Sequence, residues 1–486
     1  MNSGLFIMEP LNPLFLEMRE FCGIVGAVSK KGKDVSELLY KSLFTLQHRG
    51  QESAGIVTFG ESGFNTHRGF GQVKDVFSKD ILKELTGHIG IGHTRYSTFG
   101  DYRNVNNIQP LFVSSREGFM AVAHNGTLTN YDELRAELEE NGYVFHSSTD
   151  SEIFLYLFLI SEGNNPEEKF KEIMKKVKGA YSLLFLINDR LYFLRDPWGF
   201  RPLVFGESED YFVVASETAA LKQAGINVYE EVQPGDVGIY EGHNLKIFNV
   251  GKVLKKEQCV FELIYFSRPD SIIFGENVYR FRKECGERLA MREKREIDIV
   301  MPVPDSGIPA SVGYSKALGK PLEFGLMRSH FTGRSFIEPS ERDKKVRMKL
   351  IPIQEALYGM RIALIDDSLV RGTTSREIVK LLRENGAKEV HLRFASPPIV
   401  APCFFGIDIP TVEELMASSV KLRDLEEVLD ADSVQYLPLK VLKDILGQRS
   451  EEFCFSCFSG LYNPETVGEG ILSRFKGYHP RILDEV

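Results

Sequence analysis

The chain has few of the features that mark membrane, secreted and nucleic-acid-binding proteins. It contains six cysteines and one tryptophan in 486 residues. No apolar run reaches the roughly 18 residues that a membrane-spanning helix needs, so nothing is expected to span a membrane. The net charge of −9 leaves no basic domain, so nucleic acid is not an expected partner. So few cysteines do not make a disulfide scaffold, and they fit a reducing cytoplasm.

The first 21 residues also lack the features of a secretory signal. Glu9, Glu17 and Glu20 surround a short apolar stretch, and no positively charged segment precedes it. The composition, with 26% charged and 43% hydrophobic residues, is ordinary for a globular protein. A chain of 486 residues is long for one hydrophobic core, so we expect two or three domains.

The most informative stretch is 360–375. An apolar run at 362–365 is followed by Asp366 and Asp367, and then by a loop of small and hydroxyl residues at 372–375. This pattern predicts a buried strand, a polar loop and a helix. Unpaired N–H groups at the start of such a helix suit a phosphate, and the two carboxylates suit sugar hydroxyls or a hard cation. An ordinary strand-to-helix turn is the alternative interpretation.

A second polar loop follows another predicted strand, 298–303. Asp305, Ser306 and Gly307 lie where that strand ends, and α/β sheets bind ligands at the carboxyl ends of their strands. A simple turn is the alternative. The stretch 329–349 is polar and basic, so it is either a solvated loop or a loop that closes over a ligand. Its candidate contacts are Arg334, Arg347 and Lys349.

The first half carries several polar stretches punctuated by glycine. They lie at 22–28, 46–55, 89–97, 121–127 and 147–152. Each has an ordinary explanation: Asn125–Gly126 is also a hairpin-turn sequence, and 149–152 is also a helix cap. A thiol such as that of Cys22 attacks an amide carbonyl best as a thiolate with a base beside it. Residues 180–250 are rich in strand patterns separated by turns.

Four of the six cysteines form a second candidate group: Cys259, Cys403, Cys454 and Cys457. Four thiolates suit a structural Zn²⁺ or an iron–sulfur cluster, and spacing alone does not choose between them. The pair at 454 and 457 is also compatible with a redox-active or simply buried Cys-x-x-Cys. We interpret Cys285 as a core residue.

The stretch at 360–375 resembles the signature of type I phosphoribosyltransferases, which bind 5-phosphoribosyl 1-pyrophosphate (PRPP). The resemblance implies a domain with a parallel sheet at 251–450. It also implies that the acids face the ribose and a metal ion, while the loops hold the phosphates. The implied PRPP-binding residues are Asp305, Ser306, Gly307, Arg371, Gly372, Thr373, Thr374 and Ser375. The implied ligands of one Mg²⁺ per subunit are Ser306, Asp366 and Asp367.

The stretches of the first half, in their order and spacing, resemble the glutamine amidotransferases of the N-terminal-nucleophile hydrolase class. The resemblance covers 22–250 and implies an αββα domain in which the α-amine of Cys22 is the base. Residues 1–21 would then be a propeptide. Asn125 and Gly126 would form the oxyanion hole, and Arg95 and Asp150 would bind the α-carboxylate and α-ammonium of glutamine. Arg49 and His93 are assigned only support of this site.

The strings around Cys403 and Cys457 resemble the glutamine PRPP amidotransferases that carry one [4Fe–4S] cluster per subunit, here in part on a tail at 451–486. The implied reaction converts glutamine and PRPP to 5-phosphoribosylamine, glutamate and pyrophosphate, the first committed step of purine synthesis. The resemblance also implies inhibition by purine nucleotides and a homotetramer or homodimer in the cytoplasm. Two alternatives are another glutamine amidotransferase, such as asparagine synthetase, and a non-enzymatic PRPP sensor. The acids at 366–367 argue against the first, and Cys22 argues against the second.

Overall fold

The computed structural model describes residues 20–61, 63–97, 104–115, 118–250, 255–329, 349–407, 409, 411–421, 424–468, 470, 471 and 473. Most of the predicted propeptide and the candidate contacts Arg334 and Arg347 lie outside the described residues. Within the described part of the chain, no helix is long and apolar enough to cross a membrane.

Two antiparallel sheets lie face to face in the first half of the chain. The strands are β1 (Glu20–Ser29), β2 (Ser53–Gly60), β3 (Gly63–Phe70), β4 (Ile89–Ser97), β5 (Leu111–Ser115), β6 (Gly118–Leu128), β7 (Gly179–Ile187), β8 (Arg190–Arg195), β9 (Val204–Glu207), β10 (Tyr211–Ala215), β11 (Tyr229–Glu231), β12 (Asp236–Glu241) and β13 (Asn244–Asn249). The first sheet has the order β11-β9-β10-β1-β4-β2-β3, and the second has the order β13-β12-β8-β7-β6-β5.

Helices cover the outer face of each sheet. They are α1 (Ser36–Thr45), α2 (Val73–Val76), α3 (Lys79–Glu84), α4 (Tyr131–Glu140), α5 (Ser151–Ile160), α6 (Pro166–Lys176) and α7 (Thr218–Leu221). Leu39 and Leu43 of α1 pack on the first sheet, and Phe154 and Phe158 of α5 pack on the second. A third apolar layer fills the space between the sheets. The predicted αββα architecture is confirmed, because the central strands of each sheet bury one face on helices and the other on the opposite sheet.

Strand β1 begins two residues before Cys22. Glu20 and Phe21 pair with Ser97 and Tyr96 of β4, and Cys22 pairs with Arg95. The backbone therefore runs through position 22 as a continuous strand, and the last two residues of the predicted propeptide belong to the sheet.

The second half contains a four-stranded parallel sheet with the order β17-β20-β21-β22. The strands of this half, including the short ones outside the parallel sheet, are β14 (Gln258–Cys259), β15 (Ile272–Ile273), β16 (Glu276–Asn277), β17 (Ile299–Pro302), β18 (Leu326–Arg328), β19 (Leu350–Pro352), β20 (Arg361–Asp366), β21 (Glu389–Phe394), β22 (Ser433–Tyr436) and β23 (Phe453–Cys454). The helices are α8 (Val278–Ala290), α9 (Ile308–Leu318), α10 (Gln354–Leu357), α11 (Thr373–Glu384), α12 (Met416–Ser419), α13 (Leu425–Leu429), α14 (Leu439–Leu446) and α15 (Ser456–Ser459).

Helices lie on both faces of this parallel sheet. Along β20, Ala363 and Ile365 pack toward α8, α9 and α14, whereas Ile362 and Leu364 pack toward α11 and α13. Strands buried on both faces read as continuous apolar runs, which is the pattern at 362–365. The predicted phosphoribosyltransferase architecture is confirmed.

The two halves are joined by packed side chains as well as by the chain itself. A short π-helical segment, Glu262–Phe266, follows β14 in the connection. Behind it an apolar group that we call the interdomain cluster brings together Ala180 and Phe200 of the first half with Phe404, Phe405, Val467 and Ile471 of the second. The rings of Phe200 and Phe405 stack with centroids 4.1 Å apart. Thr129 in the first half also donates a 2.8 Å hydrogen bond to the carbonyl of Thr466.

Candidate active site

Cys22 lies near the start of β1 and is fully buried. Arg95 is its direct partner across the antiparallel pair with β4. Side chains opposite each other in such a pair lie on the same face, with Cβ atoms about 5 Å apart. Arg95 is itself buried and donates to the carbonyl of Asn107 at 3.2 Å. The register alone therefore brings a thiol and a guanidinium together.

Asn125 and Gly126 lie inside β6, so the hairpin-turn interpretation of this dipeptide is wrong. Gly126 has φ of +151°, and a Cβ on it would lie 2.0 Å from the carbonyl oxygen of Ala180. Only glycine fits at this position. Asn125 is fully buried, and its Nδ2 has no hydrogen-bond partner among the described residues. A buried amide donor without a partner fits a group that binds a developing negative charge.

Asp150 precedes α5 at the N-cap position, but its side chain does not cap the helix. Its carboxylate turns toward β6 and accepts a 2.9 Å hydrogen bond from the backbone N–H of Leu128. The ring of His124 lies 3.4 Å away. The buried carboxylate, which the sequence predicted as an ammonium-binding group, is thus held against β6 between His124 and Leu128.

His93 links the two sheets behind the site. Its Nε2 lies 3.2 Å from the carbonyl oxygen of His124, so this nitrogen carries the proton. Burial and, to a smaller extent, the Arg95 guanidinium lower the pKa of His93 to about 3. The ring is neutral at physiological pH, so His93 supports the site as a neutral hydrogen-bond donor.

The loop after β17 reaches the edge of the parallel sheet as predicted. The peptide bond between Pro304 and Asp305 is cis. Gly307 approaches β20 so closely that a Cβ on it would lie 2.4 Å from the carbonyl oxygen of Ile365. The two loops predicted to bind PRPP therefore lie side by side. The Asp305 carboxylate is exposed and pairs with Arg328.

Asp366 and Asp367 end β20 at the same edge. Asp367 is buried and accepts a 2.7 Å hydrogen bond from Ser368, and Asp366 accepts one from the Asp367 N–H at 2.9 Å. Desolvation and the neighbouring Asp367 carboxylate raise the pKa of Asp366 well above its ordinary value. Adjacent carboxylates with oxygen atoms to spare are a donor set that suits Mg²⁺.

Helix α11 starts directly after this loop. Gly372 has φ of +76°, and no side chain caps the first turn. Ser375 is buried, whereas Thr373 and Thr374 are exposed. The helix start is therefore open to a phosphate, as the sequence predicted.

One predicted cationic contact, Arg371, has another partner in this structure. The Arg371 guanidinium donates to Glu414 at 2.7 Å on the surface. The carbonyl of Lys349 accepts from the N–H of Ser329 at 2.8 Å, just before β19. Their roles in binding PRPP stay predictions.

The four thiols at 259, 403, 454 and 457 come together from three segments. Cys259 and Cys454 are direct partners in the parallel pair of β14 and β23. The carbonyl of Cys457 accepts hydrogen bonds from the N–H groups of Val400 and Ala401, which fixes the loop that carries Cys403. Burial raises the pKa of Cys457 well above its ordinary value, and the other three thiols raise it further.

Two thiols have hydrogen-bond contacts of their own: the N–H of Phe405 donates to Cys403 Sγ at 3.3 Å, and Cys454 Sγ lies 3.4 Å from the hydroxyl of Ser456. None of the six cysteines forms a disulfide. In the described part of the chain, no three His, Cys, Asp or Glu side chains form a site for a single metal ion. Four convergent thiols, two of them buried and two partly buried, are a donor set that fits an iron–sulfur cluster, which is larger than one ion. Cys285 is buried in the core, as predicted.

Comparisons with known proteins cover nearly the whole chain. A family described as a glutamine amidotransferase domain matches residues 93–223. The chloroplastic amidophosphoribosyltransferase 1 of Arabidopsis thaliana is 46% identical over 448 residues, 91% of this chain and 79% of that protein. The amidophosphoribosyltransferase of Methanothermobacter thermautotrophicus is 43% identical over 452 residues, 92% of this chain and 95% of that protein. The solved glutamine PRPP amidotransferase of B. subtilis, complexed with ADP and GMP, matches with a TM-score of 0.86 and 39% identity, covering 92% of this chain and 98% of that one.

The chain belongs to the amidophosphoribosyltransferase family. It is an enzyme of purine biosynthesis that uses glutamine to transfer an amino group to PRPP. The family, the enzyme class and the fold predicted from the sequence are confirmed. The two alternatives, a different glutamine amidotransferase and a PRPP sensor, are wrong.

The amidophosphoribosyltransferase fold also brings in residues that the sequence did not indicate. Glu217, Glu262 and Arg201 lie with Arg49 in a fully buried ionic network at the junction of the two halves. Arg49 donates to Glu217 at 2.5 Å and to Glu262 at 2.6 Å. Burial acts to raise the pKa of Glu217, but the Arg49 guanidinium together with His48 and Ser271 outweighs it and holds that pKa well below its ordinary value. Isolated charged residues far apart in sequence gave no signal for this network.

The neutral state of His93 leads to a testable prediction about stability. The unfolded chain protonates this histidine near pH 6.5, whereas the folded enzyme does so only near pH 3. Between these two pH values the unfolded state binds more protons than the folded state. The contribution of the neutral ring to the free energy of unfolding is therefore fully present above pH 6.5 and is lost as the pH falls. From pH 6.5 to 5 the loss is about 2 kcal/mol.

In His93→Gln we therefore expect the free energy of unfolding to decrease less steeply as the pH is lowered over this interval. Denaturant titrations at several pH values measure it. His243→Gln, a replacement of a histidine in the turn between β12 and β13, is the control and should leave the slope unchanged. An unchanged slope in His93→Gln would show that the ring is not held neutral.

Proposed function

We propose that Cys22 is the nucleophile of the glutaminase half. The observation that carries the proposal is the direct pairing of Cys22 with Arg95 on neighbouring strands. A guanidinium at this distance binds the α-carboxylate of glutamine through two parallel hydrogen bonds. The substrate is then anchored at one end, with its side-chain amide within reach of the thiol. Asp150, buried beside β6, binds the α-ammonium group.

The oxyanion hole is formed by the Asn125 side chain and the backbone of Gly126. Attack of the thiolate on the amide carbon puts negative charge on the carbonyl oxygen. A buried donor aimed at that oxygen stabilises the transition state because no water competes for it. The unpartnered Nδ2 of Asn125 supports this role. Collapse of the intermediate releases ammonia, and water then frees glutamate from the thioester.

The base that activates Cys22 is its own α-amine, whose ordinary pKa of about 7.7–8 suits a proton acceptor near neutral pH. In the chain as encoded that nitrogen is a peptide N–H within β1. We therefore propose that residues 1–21 are a propeptide whose removal creates the base. His93 is not the base, since its low pKa makes the ring a weak proton acceptor and its Nε2–H already donates to a carbonyl.

The phosphoribosyl half binds PRPP at the carboxyl edge of the parallel sheet. Asp366 and Asp367 hold the ribose hydroxyls and, with Ser306, one Mg²⁺ ion. The open start of α11 at 372–375 holds the 5-phosphate, and the loop 305–307 holds the pyrophosphate. When bound, Mg²⁺ neutralises the charge of the departing pyrophosphate.

The contact between Gly406 and Gly126 brings the two halves together at the glutaminase site. A Cβ on Gly406 would lie 3.1 Å from the carbonyl carbon of Gly126. Ammonia released there enters the second half without crossing bulk water, where it would be protonated and lose its nucleophilicity. Tyr265, a candidate for the lining of this passage, is 46% exposed at the junction.

Purine nucleotides are the expected regulators. The solved B. subtilis relative was obtained in complex with ADP and GMP, and a second one, 39% identical with a TM-score of 0.87, is described as the allosteric regulatory enzyme of purine biosynthesis. We expect nucleotides of this kind to inhibit the present enzyme, and we expect it to form a homo-oligomer.

The four convergent thiols hold one [4Fe–4S] cluster per subunit. Cys259 lies in the connection, Cys403 in a loop of the sugar-binding half, and Cys454 and Cys457 in the tail. The cluster ties these three segments together and has a structural role, because the reaction contains no redox step.

Replacing the nucleophile separates the two half-reactions. In Cys22→Ala we expect the glutamine-dependent rate to fall roughly a thousandfold or more, because the covalent route is lost. Turnover with ammonia should stay within about twofold, since ammonia enters the second half directly. Steady-state assays with each nitrogen donor measure both rates.

The matched control is Cys285→Ala, which removes another fully buried thiol and should leave both rates nearly unchanged. Retention of glutamine-dependent turnover in Cys22→Ala would rule out the nucleophile assignment.

Asp366→Asn tests the PRPP site. Loss of one carboxylate weakens the oxygen donor set. We therefore expect ammonia-dependent turnover to require concentrations of Mg²⁺ and PRPP that are about tenfold higher or more. Hydrolysis of glutamine should remain. Asp298→Asn is the control, because this carboxylate pairs with Arg361 at the opposite edge of the same sheet. An unchanged Mg²⁺ requirement in Asp366→Asn would contradict the assignment.

One anaerobic preparation tests both the cluster and the maturation. We expect an intact mass that lacks residues 1–21, brown iron–sulfur absorbance and about four iron atoms per chain. Cys457→Ser should lose iron, whereas Cys285→Ser should keep it. A colourless protein that contains zinc would contradict the cluster, and a full-length mass in an active sample would contradict the α-amine base.

A further inference from the structure

We propose that Arg201 is a positioning residue that fixes the side-chain amide of Asn125 so that its Nδ2 faces the reacting oxygen. The proposal rests on the proposed oxyanion role of Asn125. Arg201 is fully buried in the loop between β8 and β9, and its Nε lies 3.4 Å from Asn125 Oδ1.

The contact decides the orientation of the amide because arginine has only donors. An amide group presents an acceptor on one side and a donor on the other. Facing the guanidinium, Asn125 turns its oxygen toward Arg201, since the flipped amide would place two donors against each other. The Nδ2 atom then points away from Arg201. The contact is long for a hydrogen bond, but the positive charge of the guanidinium keeps the preference for oxygen strong.

Several contacts hold Arg201 in place. Its carbonyl accepts a 3.2 Å hydrogen bond from Ser182, which pairs directly with Asn125 across β6 and β7. Its Nη2 lies 3.1 Å from Glu262 Oε1 in the connection between the halves. Its guanidinium carbon lies 5.4 Å from the centre of the Phe266 ring. The backbone is thus fixed by the glutaminase sheet, while the head of the side chain is held by the segment that leads to the second half.

The positioning role gives a reason for burying the Arg201 guanidinium, which costs free energy. Burying a guanidinium is unfavourable unless its partners compensate, and here one N–H is used on an uncharged amide. An arginine with only a structural role would not need this contact with the Asn125 amide. Because Arg201 does not touch the substrate, its loss should lower kcat for glutamine and leave KM nearly unchanged.

Two substitutions of nearly equal length test the proposal. Arg201→Gln places its amide nitrogen as many bonds from Cα as the arginine Nε, and so keeps an N–H donor toward Asn125. Arg201→Met places a methyl group there. Both remove the charge that faces Glu262, so both carry the same structural cost.

We expect Arg201→Met to lower the glutamine-dependent kcat by about tenfold to a hundredfold, part of the effect of losing an oxyanion donor. Arg201→Gln should be at least about fivefold faster than Arg201→Met. Ammonia-dependent turnover should stay within about twofold in both and reports correct folding.

Arg195 provides the matched control. It is also fully buried, directly before the same loop, and its Nε has no hydrogen-bond partner among the described residues. Arg195→Met and Arg195→Gln should therefore not differ from each other. If Arg201→Met does not fold, Arg201→Lys replaces it: the lysine keeps a charge near Glu262 but has a methylene group at the Nε position, and the same loss of kcat is expected.

A double-mutant cycle with Asn125→Ala separates this proposal from the one on which it rests. If Arg201 acts through Asn125, Arg201→Met should cause no further loss in the Asn125→Ala background. Equal rates for the Met and Gln variants, or additive losses in the cycle, would overturn the positioning role while Asn125 keeps its own. Full activity of Asn125→Ala would instead overturn the oxyanion assignment itself.

Discussion

The junction of the two halves depends on a buried group of charges. Arg49, Arg201, Glu217 and Glu262 are fully buried, and they come from four separate places in the chain. Removing any charge from water costs several kcal/mol, and only close, well-directed partners offset it. The two cations and two anions satisfy that condition when the connection docks against the glutaminase sheet. The network therefore favours one relative placement of the halves, which apolar packing alone would specify less sharply.

The same junction brings a loop of the second half into contact with the proposed oxyanion hole of the first. Gly406 packs on Gly126, and Cys403 lies three residues before it. The interdomain cluster, with the stacked rings of Phe200 and Phe405, fills the space behind. The proposed iron–sulfur group and the proposed oxyanion hole are consequently parts of one packed region.

Much of this architecture was predictable from the sequence. The apolar run at 362–365 and the acids after it predicted a buried strand, the point where it ends, and the polar loop that follows. These features were predictable because buried strands and helix starts leave patterns among neighbouring residues. The glycine at 126 signalled a special backbone conformation, although the conformation is a strand and not a turn. The orientation of Asn125 was not predictable, because it depends on Arg201, 76 residues away. Glu217 and Glu262 gave no signal, since an isolated acidic residue is ordinarily on the surface.

The short extension of β1 before Cys22 bears on whether the proposed cleavage comes before or after the folding of the glutaminase domain. Glu20 and Phe21 are already paired with β4 in the uncut chain, and the sheet is complete around them. The proposed cut therefore needs no refolding: it severs one strand in an assembled domain and leaves Tyr96 and Ser97 without those partners. If residues 1–21 are a propeptide, as proposed, the uncut chain already has the folded glutaminase sheet and lacks only the free α-amine of Cys22.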